Sequence, residues 1–338
     1  MHLTRRSLLR GAAAAALAAP FVRTGPAMAA EFNLKLANNV PLAHPSNVRA
    51  LEAVERIKEQ SGGRVEITIF PQGQLGSDTD VLSQLRAGGV DFFLLSPLIL
   101  STFVPNASLS GIGFAFDDYD AVWSAMDGKL GTYVRSEIEG QGLYAFEKIW
   151  DNGFRQISSS TKPIETPADL ENFKIRVPVS PLWTSMFAAF GAAPASINAS
   201  EMYTALQTGI VDGQENPLSV LSTFKLFEVQ KYVSMTNHMW DGFWLLSGRR
   251  SWGNIPDDLK GIIETASNES AIQQRADMEA LNSSLQGELE QAGMVFNAPE
   301  LEPFRMKLIE AGFYDEWKGE FGEDAWSILE ASTGHTLG

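Results

Sequence analysis

The stretches KIRVPVSP (Lys174–Pro181) and ALQTGIVDGQENP (Ala205–Pro217) put a cation at the end of one predicted strand and a cluster of amides and acids at the end of the next. In the first, Phe173, Ile175 and Val177 alternate with Asn172, Lys174 and Arg176, the period of two that marks a strand. Pro178 stops it, because proline lacks the ladder N–H. Ser180-Pro181 then reads as an N-cap followed by proline at the first helical position. Arg176 therefore stands where a strand exits toward a helix N-terminus, a natural anion site in open α/β sheets. Arginine also brings a planar fork that holds a carboxylate bidentately. The plainer alternative is a surface strand arginine in a salt bridge. In the second stretch, Met202, Ala205 and Leu206 share a helical face and Gly209 is placed as a C′ glycine. Ile210-Val211 is an apolar run too short for a helix. It ends in Asp212, Gly213, Gln214, Glu215, Asn216 and Pro217. Polar groups there either line a ligand crevice at a strand's C-terminal end or form a turn of Asp-Gly and Asn-Pro type.

The pattern L-x-x-G-x-V-D occurs twice, at Leu85–Asp91 and Leu206–Asp212. Each copy follows a helix with a similar start signal, Ser77 with Asp80 and Asn198 with Glu201. The first copy leads into the apolar run Phe92–Leu95. One helix–Gly–strand unit repeated far apart in the chain fits two similar α/β lobes better than one sheet. The strand mouths, Ser96-Pro97 and Gln214-Glu215-Asn216, then face each other across a cleft.

Residues 1–29 read as an export signal: the paired Arg5-Arg6, the apolar GAAAAALAAP and the cleavage site Ala27-Met28-Ala29. The paired arginines point to the twin-arginine route and a periplasmic destination. The apolar run is too short to remain in a bilayer. Removing these residues, which carry four arginines and no acid, leaves 309 residues with 22 basic and 41 acidic side chains, a net charge of −19. That balance excludes nucleic acid and anionic membrane surfaces as partners. With no cysteine in the chain, disulfides, thiolate chemistry and an N-terminal lipid anchor are excluded. The apolar content supports a large core split into two lobes.

Enzyme chemistry is hard to find. There are four histidines, His2, His44, His238 and His335, and no HExxH, GxSxG, Walker A or GxGxxG pattern. No metal or cofactor is expected. Adjacent acids such as Asp257-Asp258 fit a helix N-terminus. Along the chain, Asn33–Ala37 and Val65–Phe70 read as strands, Ser46–Gln60 and Ala121–Gly140 as helices. Gly142–Trp150 and Phe154–Ser158 read as strands flanking a turn at Asp151-Asn152-Gly153. Val233–Thr236 and Asp241–Ser247 are strand-like segments suited to cross between lobes. Asp257 to about Gln291 lacks proline and predicts one very long helix, or two, of about 50 Å.

NGFRQISSSTKPI from Asn152, KIRVP from Lys174, and SEMYTALQTGIVDGQENPLS with FEVQKYVSMTNH to His238 together resemble the substrate-binding proteins of tripartite ATP-independent periplasmic (TRAP) transporters, the DctP type. The resemblance covers essentially all of the chain after the signal. It implies an α/β, two-lobed clamshell of the type II periplasmic-binding-protein kind, with mixed sheets and a long helix across both lobes. The lobes are expected at 30–152 with about 241–280, and at 153–240 with about 281–338. It further implies a monomer that captures a small organic acid and delivers it to small and large membrane permease subunits, without catalysis. Arg176 would make the paired carboxylate contact, Arg155 would supply a second positive group, and Asn216 a hydrogen bond beside Glu215. His44, Asp78 and Ser96 would come from the other lobe, with Trp240 and Asp241 where the chain returns to it. Trp150, Trp183, Trp240 and Trp244 are candidates for aromatic walls or core. The family's sialic-acid binders carry an acid where Ser96-Pro97 stand here and an aromatic where Ala199 stands. A hexuronate, or a short hydroxy- or dicarboxylate, fits this chain better. A binding protein of an ATP-driven transporter or a sensor, and a periplasmic enzyme acting on such acids, are the alternatives.

Overall fold

The structure, a computed structural model, describes residues 29–338. The expected export signal lies outside them, except for its last residue. In chain order the elements are β1 (Phe32–Ala37), α1 (Pro45–Gln60), β2 (Val65–Phe70), α2 (Asp78–Ala87), β3 (Phe92–Leu95), α3 (Pro97–Leu100), a 3₁₀ segment at Pro105–Gly111, α4 (Tyr119–Met126), α5 (Lys129–Gly140), β4 (Leu143–Ala145) and β5 (Trp150–Phe154). Next come β6 (Gln156–Ser159), β7 (Lys174–Val177), α6 (Pro181–Ala189), β8 (Ala193–Ser196), α7 (Ala199–Gln207), β9 (Gly213–Asn216), α8 (Leu218–Thr223) and β10 (Tyr232–Ser234). The chain closes with β11 (Trp240–Gly248), α9 (Arg249–Gly253), α10 (Asp257–Gln291), β12 (Val295–Asn297), α11 (Glu302–Glu310), α12 (Phe313–Phe321) and α13 (Glu323–Thr333).

The strands form two six-stranded mixed sheets. One runs β2-β1-β3-β11-β4 with β5 added on β11, the other β12-β10-β6-β9-β7-β8. The chain passes between them at Phe154–Gln156 and returns between β10 and β11, and Arg155 N bonds to Met239 O across the two crossings at 2.9 Å. The long helix is one unbroken element. Its first half buries Leu259, Ile263 and Ala266 against the first sheet with Leu36, Val54 and Ile67. Its second half buries Leu285 and Leu289 with Met202, Leu206 and Leu221 of the second lobe. Its middle is bolted to β5: Gln274 takes the Asp151 N–H at 2.8 Å and donates to the Asp151 carbonyl at 2.8 Å. The closing helices are shared. α11 and α12 pack on α6, while α13 packs on α4 and α5.

The repeated motif does the same work in both sheets. Asp91 receives the Lys35 N–H on its carboxylate at 2.9 Å and returns its own N–H to the Lys35 carbonyl at 3.2 Å. Asp212 does both with Lys174, at 3.4 and 2.7 Å. Each aspartate thus clips the start of its strand to the parallel neighbour. The helix starts differ, however. Ser77 and Asp80 form a full capping box, whereas Asn198 caps without a side-chain bond.

Three local expectations are corrected. The helix over Ala121–Gly140 is broken at Asp127-Gly128, where Asp127 turns to pair with Arg275 at 2.8 Å. Asp151-Asn152-Gly153 is not a turn. β5 runs through it, and the pairing with β11 slips so that Asp241 faces Gly153 and Gly242 faces Asp151. Asn152 is therefore the extra residue of a β-bulge, and Gly153 (φ +120°) supplies the conformation a side chain could not. Finally, the strand after Gly209 is not Ile210-Val211 but the polar Gly213–Asn216 itself, central in its sheet and wholly buried. A Cβ on Gly213 would lie 2.2 Å from the Ser158 carbonyl, so only glycine allows β9 to approach β6.

Candidate functional site

β7 delivers Arg176 into the molecule. The side chain is 2 % exposed. Its Nε donates to the Ile197 carbonyl at 2.8 Å, which fixes the plane of the fork. Among the described residues no acid lies within ion-pair distance of it. Burial is the main influence and pulls the guanidinium down to about 10, with Glu215 and Asp78 opposing and Arg155 reinforcing from a distance. It is therefore a charged group at neutral pH, desolvated without a contacting counter-ion. Such a group is costly unless something anionic arrives.

Arg155 is built oppositely. Its Nη2 donates to Glu215 Oε1 at 2.8 Å, to the Glu215 carbonyl at 2.7 Å and to Asn216 Oδ1 at 2.9 Å, and its Nε pairs with Glu215 Oε2. Nη1 reaches Asp241 Oδ2 at 3.2 Å, and the guanidinium lies 4.7 Å from the centroid of the Trp183 ring. Arg155 thus joins an acid on the second sheet to one on the first. His238 supports Glu215 from the far side, Nε2 at 3.2 Å from Oε2 and Nδ1 at 2.8 Å from the Thr236 hydroxyl. Burial pushes Glu215 up, but Arg155 and His238 outweigh it and hold the carboxyl below its ordinary value. Burial holds His238 below its ordinary value against the pull of Glu215. Asp241 is raised by burial against the pull of Arg155, Ser96 and Asn152.

Both arginines line a narrow cavity between the lobes, with Asn39, Ser96, Asn152, Trp183, Asn216 and Asp241 among the other wall residues. Ala199, Met202, Phe224 and Phe243 give it an apolar side.

The structure brings together Arg176, Arg155, Asn216, Ser96 and Asp241 on this wall. Ser96 Oγ donates to Asp241 Oδ1 at 2.7 Å. The Asn216 amide is engaged within the protein, accepting from Arg155 and donating to Gln214. Glu215 sits behind the wall as the partner of Arg155. Asp78 also stands behind it, holding the wall residue Asn39 at 3.0 Å. Three expectations are corrected. His44 is fully buried and caps α1, its Nδ1 accepting the Ser46 N–H at 3.2 Å; burial lowers it to about 3, and it does not reach the cavity. Trp240 points into the core, bonded to Asp151 at 2.9 Å. Trp150 packs under the first sheet with Leu36 and Ile263. Of the expected aromatic walls, Trp183 is the one that lines the site. Asn39, Asn152 and His238 were not anticipated. Asn152 was hidden inside an apparent turn, and His238 lay at the end of TNH without a visible partner.

Residues 36–316 match the model of the bacterial extracellular solute-binding protein family 7, DctP. The chain belongs to this family. It is 33 % identical to the C4-dicarboxylate-binding periplasmic protein DctP of Rhodobacter capsulatus over 79 % of this chain and 80 % of that one. It is 34 % identical to the uncharacterized protein y4mM of Sinorhizobium fredii, over 81 % of this chain but only half of that longer protein. A TRAP periplasmic solute-binding protein from Polaromonas sp. JS666, bound to D-erythronate, superposes with a TM-score of 0.85 at 26 % identity, over 91 % of this chain and all of the other. As a DctP-family chain it shares their two-sheet α/β architecture, and no described helix is long and apolar enough to cross a membrane.

Proposed function

We propose that this protein captures a small organic acid in the periplasm, with Arg176 as the anchor for its carboxylate, and hands it to a TRAP membrane permease. Arg176 carries the reading: a buried guanidinium on a cavity wall, held by a single carbonyl, with no acid in ion-pair contact among the described residues. A bidentate carboxylate satisfies the remaining N–H groups and the charge at once. The names of the relatives support the ligand class, since one binds C4-dicarboxylates and another was crystallised with a sugar acid. The twin-arginine signal supports the destination.

Binding and closure belong together in this reading. The lobes, 30–152 with about 241–280 and 153–240 with about 281–338, would turn about the adjacent crossings at Arg155 and Met239, with α13 remaining against α4 and α5. Ligand between the sheets draws both walls onto it. A thermal-shift screen over organic acids, followed by calorimetry on the hits, tests the function. An acid at 100 times its dissociation constant adds about 2.7 kcal/mol of stability. No shift with any mono- or dicarboxylate, alongside a shift with a neutral sugar, would overturn it.

A further inference from the structure

The following rests on the organic-acid reading and extends it to what the acid carries besides its carboxylate. We infer that the ligand is a hydroxylated monocarboxylate whose hydroxyl donates to Asn152 Oδ1, and that plain dicarboxylates are poor ligands of this site. Asn152 is the bulged residue of β5, set into the cavity wall and 3 % exposed. Its Nδ2 donates to Asp241 Oδ2 at 2.9 Å. Asp241 also receives Ser96 Oγ and Arg155 Nη1, so it serves as an acceptor to three donors. That fixes the orientation of the Asn152 amide, because the reversed one would set oxygen against a carboxylate. Oδ1 is left buried with no partner among the described residues.

The wall therefore has an unmatched complement of hydrogen-bonding groups. Arg176 offers N–H donors, and Trp183 Nε1 is a further buried donor without a partner. Asn152 Oδ1 is a buried acceptor. One carboxylate can meet the donors but never the acceptor, since an ionised carboxylate has no hydrogen to give. A hydroxyl meets it. A second carboxylate would also need a second cation. Arg155 is the other guanidinium on the wall, already shared between Glu215 and Asp241, and no lysine among the described residues lines the cavity. Leaving a buried acceptor unmatched is what lets a site reject an analogue that lacks the donor.

Calorimetry on the intact protein tests this with carbon-matched acids: D-erythronate against succinate and butyrate, and D-galactonate against adipate. The expected result is that at least one hydroxy acid binds at least about tenfold tighter than its unhydroxylated counterparts. Asn152→Leu, of similar volume but without the acceptor, should shrink that preference to about threefold or less, and melting curves check that it is folded. Succinate or adipate binding as tightly as the hydroxy acids overturns the inference from the unaltered protein alone, as does an equal loss of both classes in Asn152→Leu. Either outcome leaves the organic-acid function standing. Binding of none of these acids also overturns the inference, and the wider acid screen then decides the organic-acid function.

Discussion

Arg155 and Glu215 form a two-pronged ion pair in which neither side chain is more than 2 % exposed. Such a pair contributes little net stability by existing, but removing one partner strands the other. Glu215→Gln should therefore destabilise the protein by about 3–5 kcal/mol, because Asp241 would be the one acid left beside Arg155 among the described residues. Urea denaturation measures it, and an unchanged midpoint would show that Arg155 does not depend on the pair.

Arg176 should behave in the reverse sense. Without ligand, Arg176→Met removes a buried charge that Glu215 and Asp78 offset only from a distance, so melting temperature is expected to rise or hold. Affinity for the bound acid should fall by about 3 kcal/mol or more, roughly a hundredfold or greater. Calorimetry and thermal melts on the same variant separate the effects. A large fall in stability together with near-unchanged affinity would remove Arg176 from the binding role.

One strongly perturbed acid lies outside the cavity. Burial, opposed by Trp240 and Tyr119, raises Asp151 to about 7. The folded state then holds a proton that the unfolded chain releases near its ordinary value of 3.8. Its contribution is fully present below about pH 4 and is lost as pH rises to about 7. Asp151→Asn, which keeps the acceptor for Trp240 Nε1, should stabilise the protein at pH 8 relative to the parent by on the order of 2–4 kcal/mol. The advantage should shrink toward pH 5. Parallel pH-dependent stability curves for the two proteins would contradict this.

The bulge gives a backbone prediction. Gly153 has φ +120°, and a Cβ there would lie 3.2 Å from Pro217 Cβ. Gly153→Ala should cost about 1–3 kcal/mol and weaken ligand binding by shifting Asn152 from the wall. Denaturation and calorimetry check both. A neutral substitution would mean the strand relaxes without moving the site.

Much of this was legible from residue pattern. The alternation before Pro178 placed Arg176, and the repeated L-x-x-G-x-V-D gave two sheets whose aspartates do the same job. The failures share a physical cause, which is that local sequence does not reveal partners. GQEN reads as a loop because a central strand of polar residues is stable only when Arg155, Ser158 and His238 satisfy it from elsewhere in the chain. Asp-Asn-Gly reads as a turn because turns and bulges both need a glycine at positive φ. His44, Trp150 and Trp240 were assigned to the site because their neighbours lie there, while the direction of each side chain depends on a register the sequence does not state.

The placement of the eight tryptophans has an optical consequence. Trp183 is the one on the cavity wall, beneath the Arg155 guanidinium. The protein therefore carries its own probe: occupancy of the site should alter the emission of a single indole above a background from the others. A titration followed by intrinsic fluorescence would read binding without any label, and Trp183→Phe should silence the signal even where calorimetry still records heat.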